Sequence, residues 1–315
     1  MLWLAGDPHD LTGAYLGWLA EQRGAQVERL AEDELGLGWR FEIDPDGKVG
    51  VWAGGERLPD PTGVAVRLNP EPTVPDLLEL SEKELPVYVG ARRAALTALL
   101  EALPVPVVNR PTCGRTNGSK PLQMAWLQRL GFDVPRWLVT NDPVGAAEFA
   151  APYDRVVIKS VSGLRSHARL LDDGHLEQLR AGTAPVLLQV YVPGYEVRVH
   201  VVEEQAFGTR IDSTEVDYRF DTDHADSTAV AVPDSIAALC RQAAELEGLL
   251  LAGLDFRVDP DGRWWCLEMN PVPTFLPYEA MTGHAIGDAT LDLLVPERAT
   301  HDSSPLAARF AALHS

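Results

Sequence analysis

The sequence predicts an α/β chain that shades into α+β, and three observations carry that expectation. The first 110 residues alternate short apolar strands with segments of helical spacing. Around Asn109 the texture changes to a loop rich in Gly, Asn and Thr that feeds a helix. From Val186 onward the pattern runs strand, turn, strand, with a clear hairpin signal near the end.

Taken in order, MLWLAG reads as a buried strand, and Leu11 to Arg23 carries apolar residues at helical spacing. WRFEI and KVGVWA flank the turn tetrapeptide Asp44-Pro45-Asp46-Gly47, which predicts a hairpin. VAVRLN is a further short strand. Between Asn69 and Pro86 the chain is rich in Pro and Glu, as expected of a surface excursion. Val87 to Leu103 reads as a helix with Pro104 to Val108 as its return strand. After NRPTCGRTNGSK a helix spans Lys120 to Leu130, followed by strand WLVT, helix DPVGAAEFA, strand RVVIK, a small-residue loop and strand RLL. VLLQVYV and EVRVHVV are strands meeting at Pro193-Gly194, and QAFGTRI follows them. A helix over Pro233 to Glu247 leads into the hairpin LLLAGLDFRV and RWWCLEMN, and closing helices end the chain. The Ser/Pro-rich tail after Thr300 is expected to be partly loose.

Composition excludes several functions. A hydrophobic share of 46% with 23% charged residues is ordinary for a globular enzyme. The formal charge of −19 argues against nucleic acid, whose phosphates need a cationic surface, and equally against anionic lipid. No apolar run is long enough for a membrane span, and the opening turns polar too soon for a signal peptide. The scattered cysteines Cys113, Cys240 and Cys266 form no CxxC pair, which points to reduced thiols in a cytoplasm and no zinc site.

The sharpest chemical signal is the last hairpin. Asp255 and Arg257 alternate with apolar Leu254, Phe256 and Val258, so the polar pair shares a face. Beyond the Asp259-Pro260-Asp261-Gly262 turn, Trp264, Cys266, Glu268 and Asn270 are expected on one face. A two-residue loop would set Asp255 opposite Cys266 and diagonal to Glu268, roughly 7–8 Å away. Two carboxylates and a carboxamide make an all-oxygen site of the kind magnesium prefers, with water and phosphate completing its shell. The bland alternative is a solvated polar face, but Glu268 and Asn270 sit in the apolar run WWCLEMNPVP.

Lys159 ends an apolar strand and opens onto a small-residue loop that includes Ser162 and Gly163. Such a loop can fold its N–H groups over phosphates beside a lysine point charge, although the GxxxxGK[ST] pattern is absent. Lys120 follows Asn117-Gly118-Ser119 at a helix start, where a plain surface lysine is the alternative. The nearly apolar strand ending at Pro193-Gly194 can offer main-chain groups to an adenine edge. Beyond it Glu196, Arg198 and His200 share a face; a carboxylate suits ribose hydroxyls and a guanidinium suits a phosphoryl oxygen. His200 reads as an exposed strand residue or a substrate neighbour.

These pieces, in this order, resemble the ATP-grasp superfamily over roughly Asn109 to Leu294. The resemblance implies ATP as nucleotide and Mg²⁺, with Mn²⁺ as its substitute. Lys120 and Lys159 would be the nucleotide lysines, Gln189 to Val192 (with Tyr191 between) the adenine linker, and Glu196 the ribose acid. Asp255, Glu268 and Asn270 match the magnesium set, including its thirteen-residue step and E-x-N pair. It also implies a pre-grasp domain over 1–111, a lid over 112–188 and an ATP/Mg-binding subdomain over 189–315. Within the superfamily the chain resembles the ribosomal-protein glutamate ligases and the microviridin-type peptide macrocyclases. The supporting phrases are NRPTCGRTNGSKPLQMAWLQRLGFDVPRWLVTNDP, YEVRVHVV, Asp217-Tyr218-Arg219 and TGHAIGDAT. The loop after Lys159 lacks the glycine density of the glutamate ligases.

The mechanism implied is attack of a substrate carboxylate on the γ-phosphorus, followed by displacement of phosphate by an amine or hydroxyl. Arg198 would stabilise the transferring group, and Arg219 would hold acceptor or carboxylate, unless it is a plain surface arginine. The partner expected is a peptide or amino-acid substrate, with no nucleic acid and no membrane; a homodimer follows from the resemblance alone. Rival readings are a dipeptide or small-molecule amino-acid ligase, a kinase on the same scaffold, and a non-catalytic ATP-binding scaffold.

Overall fold

The computed structural model describes residues 1–69, 80–162, 168–179, 183–213, 226–295 and 310. The chain divides into two compact units, Met1–Cys113 with Leu249–Leu251 and Thr274–Ser315, and Gly114–Gly248 with Ala252–Pro273.

The first unit begins with β1 (Leu2–Gly6), α1 (Leu11–Gln22) and β2 (Val27–Ala31), a parallel crossover. The small antiparallel sheet β3 (Trp39–Ile43), β4 (Val49–Ala53) and β5 (Glu56–Arg57) contains the expected hairpin. Then come β6 (Gly63–Arg67), α2 (Glu84–Ala102) and β7 (Val107–Val108). The parallel sheet has the order β2-β1-β6-β7. Trp3, Leu30, Val64, Leu96, Leu99 and Leu100 pack into its core. Asp10 starts α1 by accepting from the Gly13 amide and also takes the Arg67 guanidinium through both carboxylate oxygens.

The second unit begins with α3 (Lys120–Leu130), whose limits follow from Pro121 in the first turn and left-handed Gly131 at its end. β8 (Trp137–Thr140), α4 (Pro143–Ala150), β9 (Val156–Ser160), β10 (Arg169–Leu170), α5 (Asp173–Gln178) and β11 (Val186–Val190) follow. Their strands form an antiparallel sheet of order β10-β9-β11-β8. Ala146, Val156, Ile158 and Leu188 form its core. A second sheet of order β14-β13-β12-β15-β16 comprises β12 (Tyr195–Val202), β13 (Gln205–Asp212), β14 (Asp226–Val230), β15 (Leu251–Val258) and β16 (Trp264–Asn270). Between β14 and β15 lies α6 (Asp234–Leu246), which buries Ala237, Cys240, Ala243 and Ala244.

The β15–β16 pairing differs from the sequence expectation in a way that matters. The turn has three residues, Pro260 to Gly262, closed by the Asp259 amide donating to the Arg263 carbonyl, with Gly262 left-handed at φ 81°. The register then shifts between Asp255 and Phe256, because one residue of β16, Leu267, is unpaired in the ladder. Two effects follow. Asp255 stands directly opposite Glu268 instead of diagonal to it, and Cys266 pairs with Phe256 in the core. The Cys266 amide turns to the Asp133 carbonyl at 2.8 Å, which anchors the bulge.

After Pro273 the chain rejoins the first unit through α7 (Leu276–Thr282) and α8 (Ile286–Leu294). Glu279 on α7 is fully buried there and accepts from the Tyr15 hydroxyl at 2.6 Å and the Gly287 amide at 2.7 Å. Among the described residues no helix is long and apolar enough to cross a membrane.

Candidate nucleotide and cation site

Every described residue singled out from the sequence as a site candidate falls within the second unit. Asp255 and Glu268 are register partners on neighbouring strands, and Asn270 lies two residues beyond Glu268, opposite Gly253. Arg198 reaches them from β12: its Nη1 donates to Asp255 Oδ2 at 2.6 Å. The same guanidinium lies over Gly253, where an added Cβ would sit 2.5 Å from Arg198 Nη2. A side chain at position 253 would therefore displace the arginine from the pair of strands it spans.

Lys120 approaches from the other direction, its Nζ 3.3 Å from Glu268 Oε2. Helix α3 is fixed to β16 by Gln123, one turn after Lys120 on the same face. The Gln123 amide donates to the Met269 carbonyl at 2.8 Å and accepts from the Met269 amide at 2.9 Å. Met269 is the residue between Glu268 and Asn270, so a buried side chain clamps the main chain between two of the three oxygen donors.

The two lysine loops are joined by main chain. Ser119 bridges to Ser162, and the Lys120 amide donates to the Val161 carbonyl at 3.0 Å. Ser162 is held by Ser160, whose Oγ accepts from its amide at 3.1 Å and lies 2.8 Å from its hydroxyl. Lys159 Nζ donates to Gln189 Oε1 at 2.9 Å, linking β9 to β11, the strand that leads into the segment joining it to β12. In that segment Val192 is buried and Tyr191 is half-buried beside the Arg155 and Arg257 guanidiniums.

One expectation needs correction. His200 is not an exposed strand residue: its exposure is 0% in the middle of β12, which is buried along nearly its whole length. Glu196, which the resemblance makes the ribose acid, is buried and ion-paired to Arg257 at 2.9 Å. Gly163 and Arg219 lie outside the described residues, as does the Asp217-Tyr218-Arg219 phrase. Sequence reading passed over Gln123 and, although it placed Arg257 on a face with Asp255, gave that arginine no role. Spacing gave a signal for each, since Gln123 is three residues after Lys120 and Arg257 two after Asp255.

As donors, two carboxylates and a carboxamide oxygen on one sheet face fit a hard divalent cation that keeps water and phosphate in its remaining positions. Among the described residues no group of three or more His, Cys, Asp and Glu side chains gathers at one place, so the third oxygen here comes from the Asn270 carboxamide. The bases beside the acids, Arg198 and Lys120, bring positive charge directly against them.

No family model matches the chain, and no curated protein matches it by sequence. Solved structures do. The ATP-grasp ligase PsnB, complexed with a minimal precursor, superposes with a TM-score of 0.81 at 26% identity, covering 94% of this chain and 98% of that one. A Chryseobacterium gregarium RiPP-associated ATP-grasp ligase, in complex with ADP and a leader and core peptide, gives 0.80 at 21% identity over 96% and 97%. The macrocyclase MdnC of Microcystis aeruginosa MRC, bound with the precursor peptide MdnA, gives 0.79 at 20% identity over 94% and 99%. The likeness spans both units and essentially the whole length of these proteins. The chain has the fold of these ATP-grasp ligases.

Proposed function

We propose that this protein is an ADP-forming, magnesium-dependent ligase that activates a carboxylate with ATP and joins it to an amine or hydroxyl of a peptide substrate. The observation that carries the reading is the continuous set Lys120–Glu268–Asp255–Arg198, in which two acids on paired strands are each held by a base. The likeness to PsnB, solved with precursor, magnesium and ADP, supports peptide and nucleotide together.

In this reading residues 112–188 form the lid and the cation-binding lobe lies within 189–315, of which Thr274 onward belongs to the same compact unit as the N-terminal domain 1–111. Lys120 and Lys159 neutralise phosphate charge, with Ser162 and Gly163 in the phosphate loop. The main chain of Gln189 to Val192 receives adenine, and Glu196 takes the ribose. Asp255, Glu268 and Asn270 would hold the cation, which shields phosphate charge during transfer. Arg198 stabilises charge on the transferring phosphoryl group, and a preorganised donor of this kind contributes roughly 3–4 kcal/mol. Arg219 would orient the substrate carboxylate. Cys113, Cys240 and Cys266, none of them in a disulfide, suit the reducing cytoplasm. A homodimer is the assembly we expect, measurable by light scattering.

The test is an ADP-release screen over acidic precursor-type peptides, dipeptides and free amino acids, each with and without Mg²⁺, with product masses recorded. Peptide products lighter by one water per bond formed are the expected result. Turnover on free amino acids alone would replace the peptide substrate, and phosphorylated products would convert the assignment to a kinase.

A further inference from the structure

One buried guanidinium fixes the linker between β11 and β12. Arg257 donates from Nη1 to Glu196 Oε1 at 2.9 Å, and from Nη2 to the Gly194 carbonyl at 2.7 Å and the Tyr191 hydroxyl at 3.1 Å. Its Cζ also lies 4.8 Å from the centroid of the Tyr191 ring, while that of Arg155 lies 3.9 Å from it. The Tyr191 amide donates to the Arg155 carbonyl at 3.0 Å. Gly194 closes the arrangement. At φ 121° its backbone lies so near β15 that a Cβ would sit 1.9 Å from the Val258 carbonyl oxygen. The linker is therefore held at positions 191, 194 and 196 by a single side chain, and at 194 by direct backbone approach as well.

Such an arrangement is a costly way merely to fill a core. A buried ion pair loses hydration that an apolar pair of similar volume would not, and replacing one by apolar residues is often neutral for stability. What the pair supplies here is direction. The planar fork of an arginine matches three acceptors from three residues at once, which a lysine ammonium cannot do with the same geometry.

We propose that Arg257 is a positioning residue for the nucleotide: it immobilises the main chain that reads adenine and sets the orientation of the Glu196 carboxylate. The inference rests on the nucleotide site proposed above. Arg257 acts through Tyr191, Gly194 and Glu196, and its contribution is preorganisation, so its loss appears in nucleotide affinity and base selectivity before it appears in the chemical step.

The experiment titrates the full-length protein with ADP·Mg²⁺ and with GDP·Mg²⁺ by calorimetry, comparing wild type with Arg257→Met, Arg257→Lys and Glu196→Gln. Thermal melts are run in parallel. The expected result is that wild type prefers ADP, Arg257→Met binds ADP about tenfold or more weakly with a reduced preference over GDP, and Arg257→Lys falls between. In turnover, KM for ATP rises more than kcat falls. Wild-type ADP affinity and preference in a folded Arg257→Met would overturn the proposal. If that variant does not fold, the same result in Arg257→Lys overturns it. A wild-type protein that binds no ADP removes the nucleotide site itself, so the two failures are distinguishable.

Discussion

Asp255 and Glu268 face each other across β15 and β16, each carboxylate held by a base from a different element. Because they are direct partners, losing one charge leaves the other with its own base and little else to hold a divalent cation. Glu268→Gln keeps the shape of the side chain and removes the charge that meets Lys120. ADP release should fall by about 100-fold or more, on the scale of losing a key electrostatic group at a transferring centre. Circular dichroism should show an unchanged fold. Near-normal ADP release from that variant would end the cation-site assignment.

Arg198 and Asp255 also contribute to stability. Their side chains are 6% and 16% exposed, so removing the arginine takes a charge-assisted hydrogen bond from a largely desolvated carboxylate. Arg198→Met should cost about 3 kcal/mol in urea denaturation. The double variant Arg198→Met with Asp255→Asn should recover much of that stability and none of the activity. Recovery of both would mean that the pair is only a structural bridge.

Gln123 offers a separate lever on the same strand. Gln123→Leu orphans the buried amide and carbonyl of Met269, at roughly 1–3 kcal/mol for each unsatisfied group. The effect should reach beyond stability, because Met269 spaces Glu268 from Asn270. Mn²⁺ binding in the presence of ADP, followed by electron paramagnetic resonance, should weaken in the folded variant. Unchanged Mn²⁺ affinity would confine Gln123 to packing.

How much of this was legible in the sequence depended on how local each feature is. Helix α3 was readable to its ends because Pro121 and Gly131 mark them within the segment itself. Most strands of the second unit were readable, some as apolar runs such as VVIK and VLLQV and others, such as β12 and β15, from alternation. The pairing of Asp255 with Glu268 was not, since the three-residue turn and the bulge at Leu267 each shift the register, and alternation alone does not announce a bulge. Strand β2 was missed because VERLA mixes polar and apolar residues without a strong period. The burial of His200 and the Glu196–Arg257 pair depend on which strands lie beside β12. A partner 61 residues away in the chain has no local signature.

The buried Tyr15–Glu279 contact makes stability depend on pH in an unusual direction. Burial is the main cause that raises the Glu279 carboxyl from 4.5 to about 7, and the bond from Tyr15 partly opposes it. The folded state therefore binds a proton that the unfolded chain has released between those two values. Its contribution is fully present below pH 4.5 and is lost as pH rises to about 7, the reverse of an exposed ion-paired carboxylate. A shift of that size corresponds to roughly 3 kcal/mol across the window. Glu279→Gln should flatten this component of the melting temperature between pH 4.5 and 7. Tyr15→Phe, which removes the bond favouring the charged form, should extend the sloping region to higher pH. If wild type and both variants share one pH profile in calorimetric melts, Glu279 is not the group that titrates.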